Sequence, residues 1–285
     1  TGFDFVTQDS KNYITLHKHS YVRDYNSPGG EFDEYHSDSY LLRAEHSKKI
    51  LDRISYGLGF EHKYDTANFA NRGSYNSSLS GDYDNTGFYG NVSYQLFDDL
   101  STSLNVRTDN NSVVGKNDVY KIGFFKENLF SKLNARLNFA SGFKNPSLYE
   151  LYGADSYGYK GNTNLTAEKS KTYEIGFDYS FNNSSILTLS LFESNIGNLI
   201  EYSNSTYNNT SNTIKQSGVE LSYGLYDTVN KFTIFGNSLS SEKANGSAQL
   251  RRPELNLGFN YDRVLVGGFN LVTNYRFKGK QNWLS

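Results

Sequence analysis

Cysteine is absent from the chain, so no disulfide, thiol nucleophile or cysteine-held metal can be built from it. No apolar run reaches the roughly 18 residues of a helical membrane span. Thr1-Gly2-Phe3-Asp4-Phe5 has neither the basic start nor the apolar stretch of a secretory leader. The formal net charge is only -2, which leaves no basic footprint for nucleic acid. Apolar residues are also scarce, at 36%, and mean hydropathy is -0.64. Values that low commonly accompany disorder, but disordered chains are poor in aromatics. Here aromatics reach 16%, with 24 Tyr and 20 Phe. Something orders this chain without a conventional core.

Strict alternation supplies the explanation. In 131–143, Leu133, Ala135, Leu137, Phe139 and Phe143 share one face, and Lys132, Asn134, Arg136 and Asn138 share the other. In 173–181, Tyr173, Ile175, Phe177, Tyr179 and Phe181 oppose Glu174, Asp178 and Ser180. The same pattern runs through 87–97, 219–225, 255–261 and 269–276. Period two means strand. About thirteen strands of roughly 9–14 residues are expected between Lys11 and Lys278, the length a tilted membrane strand needs.

The connections alternate as well. Short turns are expected at 49–53, 97–100, 126–130, 181–185, 226–231 and 262–268. Long polar excursions are expected at 24–39, 63–86, 108–118, 144–171, 197–213 and 240–253. Short turns on one rim and long loops on the other describe an outer-membrane β-barrel. A soluble sandwich fits less well, because its strands average about 5–6 residues and its apolar faces must meet in a dry core. In a barrel one face meets lipid and the other water, which accounts for the low hydropathy. Single-chain bacterial barrels are closed and even-stranded, so an odd count points to missing strands. With no initial Met and no terminal aromatic strand, the expectation is an interior segment of a longer protein.

One excursion stands out. Asn145-Pro146 breaks a strand, and about 27 polar and Tyr-rich residues follow before alternation resumes. SGFKNPSLYELYG at 141–153, followed by GNTNLTAEKSKTYEIGFDYSF at 161–181, resembles the barrel of TonB-dependent outer-membrane receptors. Three more elements keep the order: Asn198-Leu199-Ile200 closing a strand, Gly218-Val219-Glu220 opening one, and Leu250-Arg251-Arg252-Pro253 leading into the next. The Leu-Tyr-Gly element and the arginine pair look most like the cobalamin-receptor branch. Ala167 departs from the family's frequent proline, and the Ser156-Tyr157-Gly158-Tyr159 insert follows no family pattern. From residue 1 to 140 the likeness is architectural.

The resemblance implies an all-β antiparallel transmembrane barrel segment, cut from a barrel of about 22 strands. Residues 1–285 would be a partial barrel domain, with the plug domain and terminal strands outside it. It implies a monomeric active transporter, not an enzyme, in the outer membrane of a Gram-negative bacterium. A nutrient of the cobalamin or ferric-siderophore class would be imported with energy relayed by the TonB complex through the missing N-terminal region. A passive porin and a surface adhesin are the alternatives.

Candidate site residues follow. Tyr149, Tyr152, Tyr157, Tyr159, Tyr202 and Tyr207 lie in the expected outer loops, and tyrosine offers rigid contact area with a polar tip. Filling the loops or the outer aromatic girdle is the plainer role. Arg251 and Arg252 have the forked donors that suit a ligand phosphate or carboxylate, or lipopolysaccharide phosphates. Inward Lys132, Arg136, Glu174, Asp178 and Glu220 would line water or bond the plug. Asp82 and Asp84 imitate the start of a calcium loop, with Gly87 sixth, but Ser93 stands where the bidentate glutamate belongs. Bound calcium is therefore the one candidate cofactor, and solvated loop acid is its rival. Glu31, Asp33, Glu34 and Asp38 read as solvated acids. His17 and His19 share a strand face but lack a third ligand. No nucleophile comes with a positioned base.

Overall fold

The computed structural model describes residues 2–6, 10–72, 76–247 and 252–280. Alternation becomes strand along nearly the whole chain. The first eight strands are β1 (Gly2–Val6), β2 (Ser10–Asn26), β3 (Phe32–Leu51), β4 (Ile54–Arg72), β5 (Ser77–Phe97), β6 (Leu100–Asn111), β7 (Gly115–Lys126) and β8 (Leu133–Lys144). A short helix, α1 (Leu148–Tyr152), and a two-residue strand, β9 (Ala154–Asp155), interrupt the series. It resumes with β10 (Glu168–Asn182) and β11 (Ser185–Gly197). A small hairpin, β12 (Leu199–Ser203) and β13 (Thr206–Thr210), precedes β14 (Ile214–Tyr226), β15 (Asn230–Lys243), β16 (Leu255–Val264) and β17 (Asn270–Lys278).

Apart from β12 and β13, these strands form one fifteen-stranded sheet in which sequence neighbours pair, and β9 joins β5 off the main path. Pairing is antiparallel at every junction from β1 to β17. Register keeps the two faces apart. Ile175 lies between Leu137 and Leu191, and Leu191 in turn opposes Val219. One residue on, Gly176 lies between Arg136 and Ser190. The apolar face is exposed, as Leu58, Phe88, Val106, Leu221 and Ile234 illustrate. A sheet that leaves such residues uncovered suits lipid as its solvent.

The opposite face carries two ion-pair networks. Glu61 accepts from Arg43 at 2.6 Å and from Arg107 at 2.9 Å, and Arg107 also donates to Asp109 at 2.6 Å. Asp109 is only 2% exposed and takes a further bond from Asn85 Nδ2 at 2.6 Å. Tyr89 lies over Gly59, where a Cβ would meet its ring at 2.1 Å, and its hydroxyl donates to Glu45 at 2.7 Å. The Arg107 guanidinium stacks 5.3 Å from the Tyr89 ring. The second network centres on Arg136. It donates to Glu174 at 3.2 Å, Asp178 at 2.8 Å and Ser190 at 2.7 Å. Charges buried against a sheet must be paired this way or be lost.

Several expectations are corrected here. The excursions at 24–39 and 63–86 are mostly strand: β2 pairs with β3 out to Asn26 and Phe32, and β4 with β5 out to Asn71 and Ser77. The excursion at 108–118 closes tightly, with Asn111 facing Gly115. These hairpins project as far as 21 residues in β5, beyond the expected 9–14. Polar residues on both faces hide period two from the sequence, although the ladder continues. Lys132 belongs to the turn before β8, not to the inner face, and donates to the Phe181 carbonyl at 2.9 Å.

Candidate functional site

The 145–167 segment lies on the long-loop rim. Pro146 ends β8 because it cannot donate to the ladder, and it is fully buried. Ser147 then caps α1. Its hydroxyl accepts from the Glu150 N–H at 3.3 Å, and Glu150 returns a bond to the Ser147 N–H at 2.7 Å. That reciprocal box satisfies orphan donors of a very short helix. Leu151 and Leu165 are buried together with Pro146 and form a small core for the loop. Gly161 abuts the Leu151 backbone so closely that a Cβ would meet its carbonyl carbon at 2.5 Å. β9 then pairs with Ser77 and Ser78, which fastens the loop to the β4–β5 hairpin.

The Tyr-rich insert turns on one carboxylate. Asp155 Oδ1 accepts from the N–H groups of Tyr157 and Tyr159 at 2.8 and 2.9 Å. Tyr159 is thereby driven inward, to 4% exposure, while Tyr157 stays 74% exposed. The Tyr159 ring stacks on Tyr149 at 5.0 Å and meets Tyr202 and Tyr207 at 5.9 and 5.7 Å. Burial, with the surrounding phenols adding to it, pushes the Tyr159 hydroxyl far above its usual range, so it stays neutral. Tyr159 is the hub of a loop core and not an open contact surface. Tyr152 instead packs its ring against Gly81 of β5.

A second loop locks onto the first. Asn198, with φ of 55°, takes the left-handed conformation that asparagine tolerates and turns the chain out of β11. Its side chain donates to Thr166 Oγ1 at 2.9 Å and to the Ala167 carbonyl at 2.8 Å. Asn209 accepts from the Thr166 N–H at 2.8 Å and donates to the Thr166 carbonyl at 2.9 Å. Asn162 donates to the Tyr207 carbonyl at 2.9 Å. The Gly-Asn-x-Asn-Leu and Asn-Leu-Ile elements, far apart in sequence, are thus parts of one hydrogen-bonded unit. Left-handed Asn204 and Ser205 form the two-residue turn of its β12–β13 hairpin.

Between this unit and the hairpin wall lies a cavity of about 490 Å³. Ser147, Leu148 and Tyr149 line one side, and Tyr35, Phe69 and Tyr83 are among those lining the other. The Lys63–Asp65 pair, at 2.7 Å, adds charge to its wall. Aromatic walls with a few polar groups are what a bulky ligand site requires. Of the predicted contact residues, Tyr149 lines this cavity, while Tyr157 and Tyr202 are exposed on the loops. Tyr35, Phe69 and Tyr83 were not among the predicted residues, because their polar hairpins read as loop. Arg252 is exposed just before β16, and Arg251 lies outside the described residues.

Residues 81–87 are continuous strand within β5, so Asp82 and Asp84 share one strand face. Among the described residues, the group with metal-ligand spacing is Asp24, Glu34 and His36, on the β2–β3 hairpin. His17 and His19 belong to no such group.

A long antiparallel sheet with an exposed apolar side, an ion-paired opposite side and interlocked loops on one rim is the wall of a transmembrane β-barrel. Residues 2–285 match the family model described as TonB dependent receptor-like, beta-barrel. The chain belongs to that family. Over 127 residues it is 33% identical to the vitamin B12 transporter BtuB of Photobacterium profundum, a match covering 45% of this chain and 19% of that protein. Among solved structures, a mutant of the ferric enterobactin receptor PfeA of Pseudomonas aeruginosa superposes with TM-score 0.77 at 16% identity, over 98% of this chain and 48% of that one. The ferric yersiniabactin uptake receptor FyuA of Yersinia pestis gives 0.68 at 17% identity, over 96% and 48%. The chain therefore spans about half the length of these solved receptors.

Proposed function

We propose that the complete protein is an active outer-membrane receptor that captures a scarce nutrient on the long-loop rim and imports it with TonB-coupled energy. The observation that carries this reading is the vestibule: two family loop elements lock together and hold Tyr149 over a cavity between loop and barrel wall. The sequence match to a vitamin B12 transporter favours a cobalamin-type ligand, and ferric siderophores are the second class. On this reading a plug outside residues 1–285 fills the lumen and meets Arg136, Glu220 and their neighbours. No covalent chemistry occurs; the protein binds, releases and gates.

Uptake of labelled cobalamin by cells expressing the full-length gene tests this directly. Accumulation should require TonB and vanish in a TonB-deficient strain. Uptake at the same rate without TonB would establish a passive channel instead. If cobalamin fails, the same assay with ferric siderophores separates a wrong ligand from a wrong mechanism.

A further inference from the structure

The β2–β3 hairpin pairs in a register that sets like charges against each other. Asp24 of β2 lies directly opposite Glu34 of β3, and Val22 lies opposite His36. Residues two apart share a strand face, so Asp24, Glu34 and His36 crowd one patch. Like charges directly opposite destabilise an antiparallel pair. Among the described residues, neither carboxylate has a lysine or arginine as ion-pair partner, and both reach only His36. Arg23, next to Asp24 in sequence, pairs instead with Asp33 at 3.7 Å on the other face.

The donor atoms have the spacing of a metal ligand set. One atom from each residue lies within 4.8 Å of the others. His36 Nε2 is 3.1 Å from Glu34 Oε1 and 3.8 Å from Asp24 Oδ1. A tetrahedral ion with bonds of about 2.0–2.1 Å holds its ligand atoms roughly 3.3–3.4 Å apart, between those two distances. The imidazole decides which ion. Calcium and magnesium take oxygen ligands, whereas one nitrogen beside two carboxylates suits zinc and its first-row neighbours. Three protein ligands leave a fourth position to water.

The patch faces away from the cavity, and its three donors are about half exposed. Between Glu34 and His36 stands Tyr35, whose side chain takes the opposite face and lines the cavity beside Phe69. We infer that Asp24, Glu34 and His36 form a zinc-type site that staples β2 to β3 at the outer end of the hairpin. An ion there offsets the opposed carboxylates, bridges the two strands and steadies the backbone that carries Tyr35. The site depends on the hairpin register and not on which nutrient is carried.

The test uses untagged full-length receptor in detergent, titrated with Zn2+ alone by calorimetry, with hydrogen exchange as a second measurement. The wild type should bind Zn2+ in preference to Ca2+. His36→Gln, Glu34→Gln and Asp24→Asn should each weaken Zn2+ binding at least about tenfold, since disturbing even the groups around a ligand costs that much. His17→Gln/His19→Gln should leave it unchanged. Zn2+ should slow exchange across 22–36 in the wild type and not in Asp24→Asn, which keeps both remaining ligands on one strand. Wild-type affinity in His36→Gln, or Ca2+ bound as tightly as Zn2+, would overturn the site and leave a solvated acidic patch. Loss of binding on changing His17 and His19 would overturn it by placing the ion elsewhere. Undiminished slowing in Asp24→Asn would overturn the staple. All three side chains are exposed, so heat-modifiable gel mobility serves as the folding control.

Discussion

The Tyr159 hydroxyl donates to the Tyr149 backbone carbonyl at 2.6 Å, while the two rings stack 5.0 Å apart. One buried phenol therefore fixes both the main chain and the ring of the residue that lines the cavity. Tyr159→Phe removes only the hydrogen bond, a loss of about 0.5–1.5 kcal/mol in local stability. Tyr159→Ala also removes the ring at the centre of the cluster, which costs about 3–5 kcal/mol in a packed core. Limited proteolysis of the loop should rise slightly for the first variant and steeply for the second. Ligand affinity should follow the same order.

The lock between the loops makes a different forecast. Asn209 bonds both the N–H and the carbonyl of Thr166, and its Nδ2 also donates to the Asn198 carbonyl at 3.1 Å. Asn209→Ala strands these backbone groups at a cost of roughly 1–3 kcal/mol for each one that stays buried. Hydrogen exchange should quicken in both 160–168 and 198–213, because neither loop holds its place without the other. Faster exchange confined to 198–213 would show that the loops are independent.

How much of this was legible in the sequence depends on the solvent that each face meets. Where one face meets lipid, as at Leu137, Ile175, Leu191 and Val219, period two is plain and the register follows from it. Where both faces are polar, as in 63–72 and 77–86, the ladder persists without a readable signal, and the wall of the cavity was missed. The helix left a trace in Ser147-Leu148-Tyr149-Glu150, a capping box spelled in four residues. Tyr159 could be picked out as a loop aromatic but not as a buried one, because the same side chain suits a core or a contact surface. The Asn162, Asn198 and Asn209 lock joins distant segments, and no local periodicity records such a meeting.

Glu201 gives the external hairpin a pH dependence. It accepts from Asn212 Nδ2 at 2.6 Å, from Thr210 Oγ1 at 3.0 Å and from Lys243 Nζ at 3.3 Å. The Asn212 bond, followed by those from Thr210 and Lys243, holds its carboxyl below the usual glutamate range. A depressed folded-state pKa contributes stability above the unfolded value and loses it as pH falls through the folded one. Exchange protection of β12 and β13 should therefore be constant at neutral pH and decline on acidification below the ordinary glutamate pKa. Glu201→Gln should flatten that decline.

Gly176 and Arg136 test whether the inner network is fixed or adaptable. Arg136 crosses the strand at Gly176 so tightly that a Cβ there would lie 2.3 Å from Cζ. The displaced atoms end a long side chain, which normally swings aside at little cost. Here the guanidinium is tied to Glu174, Asp178 and Ser190, and swinging it aside breaks those bonds. Gly176→Ala should lower the detergent unfolding temperature even though alanine suits a strand no worse than glycine. Arg136→Ala alone should also lower it, because Glu174 and Asp178 then share the space without a cation. The double variant decides the cause. If steric displacement of Arg136 is the whole effect of the new methyl, Gly176→Ala should cost almost nothing once Arg136 is gone, a coupling that a thermodynamic cycle resolves. Additive losses would mean that the strand itself, and not the arginine above it, requires glycine.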